Sequence, residues 1–408
     1  MFYNIRMDSL VKLKDIAVHM DLEPAEEVAY KPAPLLPQVE TAVAPCGQVT
    51  NQLPQNHPSQ LGITHATVSG GKPIKLLKTM LTTACERNCF YCPFRAGRNY
   101  KRQTFQPDEL AKTTTDMHRA GAIDGIFLSS GIIKGGVTTQ DRLIDTAEIL
   151  RRKYQFKGYL HLKIMPGVEK AQLERIMQLV DRLSVNLEAP NDQRLVELAP
   201  KKEFMRELLQ PLKWIDEIRH EQPHHLGWNG HWPSSVTQFV VGGTNETDVE
   251  LLTTTEYLHK QLHLRRVYFS AFSPILDTPL ENRQAENPMR QHRLYQTAFL
   301  FRDYGFDLEE LPFTQQGNLP LDEDPKLAWA KANLRENPVE LNRADPQELL
   351  RVPGIGPKSA RTILAARRHN HIREVDDLQK VGVSTKRMKP FVLVDGKRPS
   401  YQLPLFDE

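Results

Sequence analysis

Three of the chain's four cysteines fall within eight residues, Cys85-Glu-Arg-Asn-Cys89-Phe-Tyr-Cys92, a C-x3-C-x2-C spacing. Four cysteines in 408 residues are too few for a disulfide framework, and cysteines bunched in this way read as metal ligands. Three thiolates so placed can wrap three corners of a 4Fe-4S cubane and leave the fourth iron without a protein ligand. An open iron is a place for chemistry, so the remaining chain has to supply a scaffold that presents this loop. Two blander readings stay open at this point. One is a structural zinc site completed by Cys46 or by a histidine such as His65. The other is a structural or redox-sensing iron-sulfur cluster, which would need a fourth thiol; the only spare, Cys46, lies across a Pro/Gln-rich arm and is read as unligated.

From about Lys72 the texture is one of short β-rich runs alternating with helical stretches, the pattern of βα units on a parallel sheet. Strands are expected at Lys78 to Leu81, Gly125 to Leu128, Tyr159 to Ile164, Leu183 to Leu187, Val236 to Val241 and Val267 to Phe272. Helix starts are signalled by Pro107 followed by Asp108 and Glu109, and by Asn245 ahead of the run Asp248 to Leu262. Six such repeats fit an α/β fold, an open, TIM-like partial (βα)6 barrel, in which function gathers at the C-terminal ends of the strands. The cysteines directly follow the first expected strand.

A chain of 408 residues exceeds one hydrophobic core, so a second folded unit is expected. Its 40% hydrophobic and 25% charged residues are those of a globular protein, and no segment reaches the roughly 18 consecutive apolar residues of a membrane span. Met1 to Asp21 lacks the charged-then-apolar layout of a secretory leader, which leads to an expected cytoplasmic location and no membrane partner. The domain layout reads as 1–70, an N-terminal helix and extended arm rich in Pro, Gln and Asn; 71–330, the barrel; 331–396, a small all-α domain; and 397–408, a flexible tail.

Strand alternation adds a second line of argument. In Tyr159-Leu-His161-Leu-Lys163-Ile and in Leu183-Ser184-Val-Asn186-Leu-Glu188 the polar residues share one face and the apolar ones the other. With Leu160, Leu162, Val185 and Leu187 packed outward on helices, His161, Lys163, Ser184, Asn186 and Glu188 point inward and make a polar lumen. Further on, Arg290, Arg293 and Gln296 share one side of a helix, either lining a substrate entrance or forming a solvated basic face.

With Tyr91 just before the last cysteine, and a position after the first strand, the motif resembles the signature of the radical S-adenosylmethionine (SAM) superfamily. The resemblance implies a radical SAM barrel with a 4Fe-4S cluster on Cys85, Cys89 and Cys92. It also implies SAM chelated at the open iron and reductively cleaved, with a flavodoxin or ferredoxin as electron donor. It further implies that Tyr91, the segment Ser129, Ser130 and Gly131 after the second strand, and Asn186 and Glu188 on the fourth strand contact SAM, while Val236 to Gly243 flanks the adenine.

The C-terminal segment carries a charge imbalance and a repeat. Residues 341–400 hold 13 Lys+Arg against 6 Asp+Glu, net +7 out of a whole-chain net of +3, which suits a polyanionic partner. Asp345 before Pro346, with Glu348 three positions on, opens a helix that runs into Val352-Pro-Gly354-Ile-Gly356-Pro-Lys358. Leu378, Gly382, Val383 and Lys386 repeat Leu350, Gly354, Ile355 and Lys358 at a spacing of 28, with Ser384 in place of the second glycine. Together they resemble a tandem helix-hairpin-helix domain. That resemblance implies phosphate binding by backbone N–H groups around Gly354 and Gly356, aided by Lys358, Arg361, Arg367 and Arg368; a protein-binding hairpin is the alternative.

From Leu61 to Met388 the chain resembles a bacterial family of radical SAM proteins described as acting in DNA modification or repair. The carrying strings are the cysteine motif, Phe127-Leu-Ser-Ser-Gly-Ile132, Phe156-Lys-Gly-Tyr-Leu-His-Leu-Lys163, Asp181-Arg-Leu-Ser-Val-Asn-Leu-Glu188 and the hairpin. Pro93 and Phe94 depart from it and point to a subfamily. What this implies is an enzyme acting on DNA; an RNA (tRNA) modifying radical SAM enzyme, or a DNA-binding protein with a structural or redox-sensing Fe-S cluster, are the alternatives. The tail residues Gln402, Leu403, Leu405 and Phe406 resemble the peptide by which bacterial repair proteins hold the sliding clamp, with two apolar anchors and a hydrogen-bonding glutamine.

Overall fold

The computed structural model describes residues 7–20, 61–67 and 73–401. Cys46 and the tail residues Gln402, Leu403, Leu405 and Phe406 lie outside them. The chain divides into two compact units, one drawn from 1–186, 199–238 and 275–281, the other from 187–198, 239–274 and 282–408.

In chain order the elements are α1 (Met7–Ala17), β1 (Ile63–Thr67), β2 (Pro73–Met80), α2 (Pro107–Arg119), β3 (Gly125–Ser129), α3 (Gly135–Glu148), β4 (Tyr159–Lys163), α4 (Lys170–Met177), β5 (Arg182–Ser184), α5 (Asp192–Leu198), α6 (Gln210–Glu221), β6 (Ser234–Val241), α7 (Asp248–Gln261), β7 (Arg266–Ala271), α8 (Pro288–Tyr304), α9 (Pro325–Asn333), β8 (Val339–Glu340), α10 (Pro346–Arg351), α11 (Pro357–His369) and β9 (Val392–Leu393). The first seven strands form one sheet ordered as in the sequence, the arrangement of successive βα repeats. All six expected strands are present, with β5 reduced to three residues. A seventh, β1, was not foreseen. It runs antiparallel to β2, Ile63 opposite Leu77, and so pairs the outer edge of the sheet. Its sequence, Ile-Thr-His-Ala-Thr, is short and abuts the Pro/Gln-rich arm, which hid it.

Within the first unit the register of the parallel strands decides the faces. Lys78, Phe127, His161 and Arg182 are lateral partners in one row; Met80 with Ser129, and Lys163 with Ser184, form the next. Residues paired laterally point the same way, so His161, Lys163 and Ser184 do share a face, as the alternation implied. The opposite face carries Leu77, Ile126 and Leu160, then Leu128, Leu162 and Leu183, all fully buried. Helices α2, α3 and α4 contribute Leu110, Leu143, Ile144, Leu173 and Ile176 at the same complete burial.

In the second unit α7 begins at Asp248, as expected, and its N-cap is Thr247 rather than Asn245: Thr247 accepts from the Glu250 N–H, with Glu250 reaching back to accept from the Thr247 N–H. Helix α8 opens on Asn287, whose side chain accepts from the Met289 N–H at 2.9 Å. The small C-terminal core gathers Leu341, Leu349, Val352, Ile355, Ile363, Leu378, Val383 and Phe391, and it includes Ala330 of α9 and Leu334 just after it.

Candidate cluster site and hairpin module

Strand β2 ends at Met80, and the loop that follows is pinned to the end of β3 and the turn after it on both sides of the first cysteine. Leu81 N–H donates to the Ser129 carbonyl at 2.9 Å, Gly131 N–H to the Thr82 carbonyl at 2.7 Å and Glu86 N–H to the Ile132 carbonyl at 2.8 Å. The Ile132 N–H points at Cys85 Sγ, 3.4 Å away. A Cβ on Gly131 would stand 2.2 Å from the Ala84 carbonyl oxygen and 3.2 Å from Cys85 Cβ, so only glycine allows this crossing. The expected SAM segment Ser129-Ser130-Gly131 therefore lies against the first cysteine. Ser130 Oγ donates to the Gly131 carbonyl at 2.7 Å.

The loop between Cys85 and Arg102 has no regular hydrogen-bond ladder, and charged side chains bind its backbone instead. Arg102 donates to four carbonyls, those of Thr83, Phe94, Arg95 and Arg98, at 2.7 to 3.2 Å. Glu86 accepts from the Lys134 and Gly135 N–H groups at the start of α3. Arg87 pairs with Glu207 at 2.7 Å and also donates to the Lys201 carbonyl. Phe94, 5% exposed, packs in an aromatic cluster with His19 and Tyr100, so the departure at Pro93 and Phe94 anchors the loop on the short turn after α1. Sequence reasoning missed Glu86, Arg87 and Arg102, since binding backbone N–H or carbonyl groups leaves no spacing to read.

The three cysteines form no disulfide; Cys89 is buried and Cys85 and Cys92 are half-buried. Burial first, then the neighbouring Cys89 and Cys85, pushes the Cys92 thiol up. Three neighbouring thiols, one of them buried, are deprotonated together only around a cation. The donor set thus fits an iron-sulfur cluster held on three thiolates.

Further along the sheet, His161 is fully buried and lies edge-on to Phe127, ring centroids 4.7 Å apart. Burial, then Arg182 and Lys163, drive its pKa well below the ordinary value, so the imidazole is neutral. Lys78, 1% exposed and in the same row, was not singled out from sequence. Asn186 donates to Gln238 Oε1 at 3.0 Å, both buried. Glu188 belongs to the second unit, 2% exposed with a left-handed φ of 67°, and its carbonyl accepts from the Val240 N–H at 2.8 Å. Tyr91 is half-buried in the cysteine loop.

Arg290 is not part of a solvated basic face. It bonds Asp248 at 2.7 Å and Glu286 at 2.7 Å, with a 12% exposed side chain, tying α8 to α7. Arg293 donates to the Leu321 carbonyl and to Gln296, which in turn bonds Asp324.

The first hairpin is built as expected. Asp345 and Glu348 cap each other's N–H groups at 2.8 and 2.7 Å, Gly354 takes a φ of 86°, and Gly356 caps α11. Lys358, Arg361 and Arg368 are exposed. Arg367 is not available to a ligand in the way expected, because it donates to the Leu341 and Ala344 carbonyls inside the module. Gly382 repeats the left-handed turn at φ 80°, but the second unit is built from a 3-10 helix, Val375–Val381, and a single turn, Lys389–Phe391, in place of α-helices.

Residues 79–258 match the Radical SAM superfamily model and residues 335–389 the helix-hairpin-helix motif. Residues 79–258 are thus a radical SAM superfamily segment, and the chain has a partial β-barrel of that type and a C-terminal all-α helix-hairpin-helix domain. No curated protein matches it. Similar solved structures include the FeFe-hydrogenase maturase HydG from Carboxydothermus hydrogenoformans, with TM-score 0.43 and 15% identity over 56% of this chain and 51% of that one. Methylornithine synthase PylB gives TM-score 0.45 and 12% identity over 56% and 61%. The radical SAM methyltransferase TsrM from Kitasatospora setae gives 0.38 and 10% over 53% and 39%. This chain spans about half the length of the maturase. Among the described residues no helix is long and apolar enough to cross a membrane.

Proposed function

We propose that this chain is a radical SAM enzyme that acts on nucleic acid, DNA ahead of RNA, in modification or repair. The observation that carries the chemistry is the three-cysteine loop after β2, inside the segment that matches the superfamily. Cys85, Cys89 and Cys92 would hold a 4Fe-4S cluster. Bound there, it supplies the electron that cleaves SAM to methionine and a 5′-deoxyadenosyl radical. Tyr91, Ser129, Ser130, Gly131, Asn186 and Glu188 are assigned to binding and orienting SAM. The buried, neutral imidazole of His161 suits a polar, water-poor lumen, where a radical is kept from side reactions.

The hairpin supports the substrate assignment. Gly354, Gly356, Lys358 and Arg361 are assigned to a phosphate of the substrate strand, and the first chemical step to hydrogen abstraction from its base or sugar. A flavodoxin or ferredoxin would deliver the electron. The tail motif Gln402, Leu403, Leu405 and Phe406 is assigned to the sliding clamp, which would place the enzyme at replication or repair intermediates. The domain layout follows, with 71–330 for SAM chemistry, 331–396 for the strand, 1–70 as a helix and arm that ends in β1 of the sheet, and 397–408 as a tail. Deoxyadenosine formation by the reduced, reconstituted protein is expected to rise with DNA over tRNA. Stimulation by tRNA alone would move the substrate to RNA.

A further inference from the structure

The first hairpin is flanked by two side chains that come from outside it. Tyr304, the last residue of α8, has its hydroxyl so close to Gly356 that a Cβ there would lie 3.2 Å from it. Arg387, from the second hairpin, backs onto Gly354, where a Cβ would stand 3.1 Å from Arg387 Cβ, while its guanidinium lies 3.9 Å from the Asp324 carboxylate on a side chain that is 57% exposed. Lys326 links these parts. Its ammonium donates to the Ile355 carbonyl at 2.7 Å and lies 4.4 Å from the centre of the Tyr304 ring, so one buried lysine sets both the hairpin and the ring.

A cavity of about 240 Å³ opens here, lined by Gln296, Phe299, Tyr304, Asp324, Gly356 and Arg387 among others. It is smaller than the roughly 300–1,000 Å³ of sites for drug-sized ligands, which suits a single ring system. Its walls combine two aromatic rings, an exposed guanidinium and an amide-carboxylate pair, Gln296 Nε2 donating to Asp324 at 2.9 Å. Aromatic faces beside cations, next to backbone able to bind phosphate, are the parts by which unpaired nucleotides are held.

We propose that this cavity is a nucleotide site: it takes the base of an unpaired nucleotide whose phosphate rests on the Gly354–Gly356 hairpin, with Tyr304 as the stacking ring and Arg387 as the phosphate's counter-charge. The proposal rests on the nucleic-acid reading above and names the form of the substrate strand, since a base inside a duplex cannot enter a pocket without leaving its stack. The bases contribute here through stacking, so the site is tolerant of sequence.

The test is equilibrium binding of the full chain to a short labelled oligothymidylate and to an abasic strand of the same length. Wild-type protein binds the base-bearing strand about tenfold more tightly. Tyr304→Ala removes that preference and leaves abasic binding unchanged, Tyr304→Phe keeps it, and Lys358→Glu weakens both strands alike. Equal wild-type affinity for the two strands, with Lys358→Glu still weakening both, overturns the pocket and spares the hairpin. No wild-type binding to either strand overturns the nucleic-acid reading and this site with it. The wild-type comparison decides even if Tyr304→Ala does not fold.

Discussion

Arg102 holds four carbonyls of the cysteine loop with one guanidinium, and hydrogen bonds to charged groups are worth about 1.5–3 kcal/mol each when both partners are removed from water. Arg102→Ala is expected to destabilise the fold by about 3 kcal/mol and to cut iron retained after anaerobic reconstitution several-fold. Arg102→Lys rescues little of it, because an ammonium cannot span four acceptors in a plane. Iron retention equal to wild type in both variants would show that the loop is held by other means. Lys326 gives a pH-dependent expectation. Burial is the leading cause that lowers its pKa to about 7 from the 10.5 of free lysine. Between those values the unfolded chain binds more protons than the folded one, so stability rises with pH from about 7 to 10.5, and the penalty is complete below 7. Urea midpoints across that range should climb in wild type relative to Lys326→Met; parallel curves would refute it. The cysteines were legible in the sequence because spacing alone marks them. Arg102, Glu86 and Arg87 were not, because a side chain that binds backbone carbonyls or N–H groups can do so from any distance along the chain.

Period-2 alternation in β4 and β5 identified the shared face of His161, Lys163 and Ser184 because a strand's side chains have only two directions to take, and the register with β3 agrees. Strand β1 escaped because five residues with two threonines and a histidine are a weak signal unless the partner is known. The second hairpin shows the opposite limit: Gly382 is placed by its turn, yet the sequence did not reveal that a 3-10 helix replaces the α-helix before it. The element that matters most for testing the hairpin is α9. Ala330 and Leu334 belong to the C-terminal core, and Arg351 of α10 lies 3.8 Å from the centre of the Phe306 ring and bonds Glu310. Removing everything after Asn337 would strip this apolar surface bare, so a truncated chain is expected to aggregate rather than to report on binding. Point changes are the cleaner probe. Lys358→Glu with Arg361→Glu should weaken DNA binding uniformly across sequences and lower the slope of log affinity against log salt by about 2, with the melting temperature unchanged. An unaltered slope would assign the hairpin to protein contacts.

At the scale of the whole molecule, a nearly neutral chain concentrates its basic surplus in one small module and its thiols in one loop of a βα sheet. Its net charge of +3 is close to balance, so attraction to the proposed polyanion would have to be local to the C-terminal module. The superfamily match across 79–258 makes the cysteine loop the part on which the functional account depends most. The most direct measurement is the product formed when the anaerobically reconstituted, reduced full chain is incubated with SAM. About four irons per chain and the appearance of 5′-deoxyadenosine are expected, with the product lost in Cys85→Ala, Cys89→Ala and Cys92→Ala alike. Stoichiometric zinc with intact SAM, or deoxyadenosine that persists when any of the three cysteines is removed, would contradict the account.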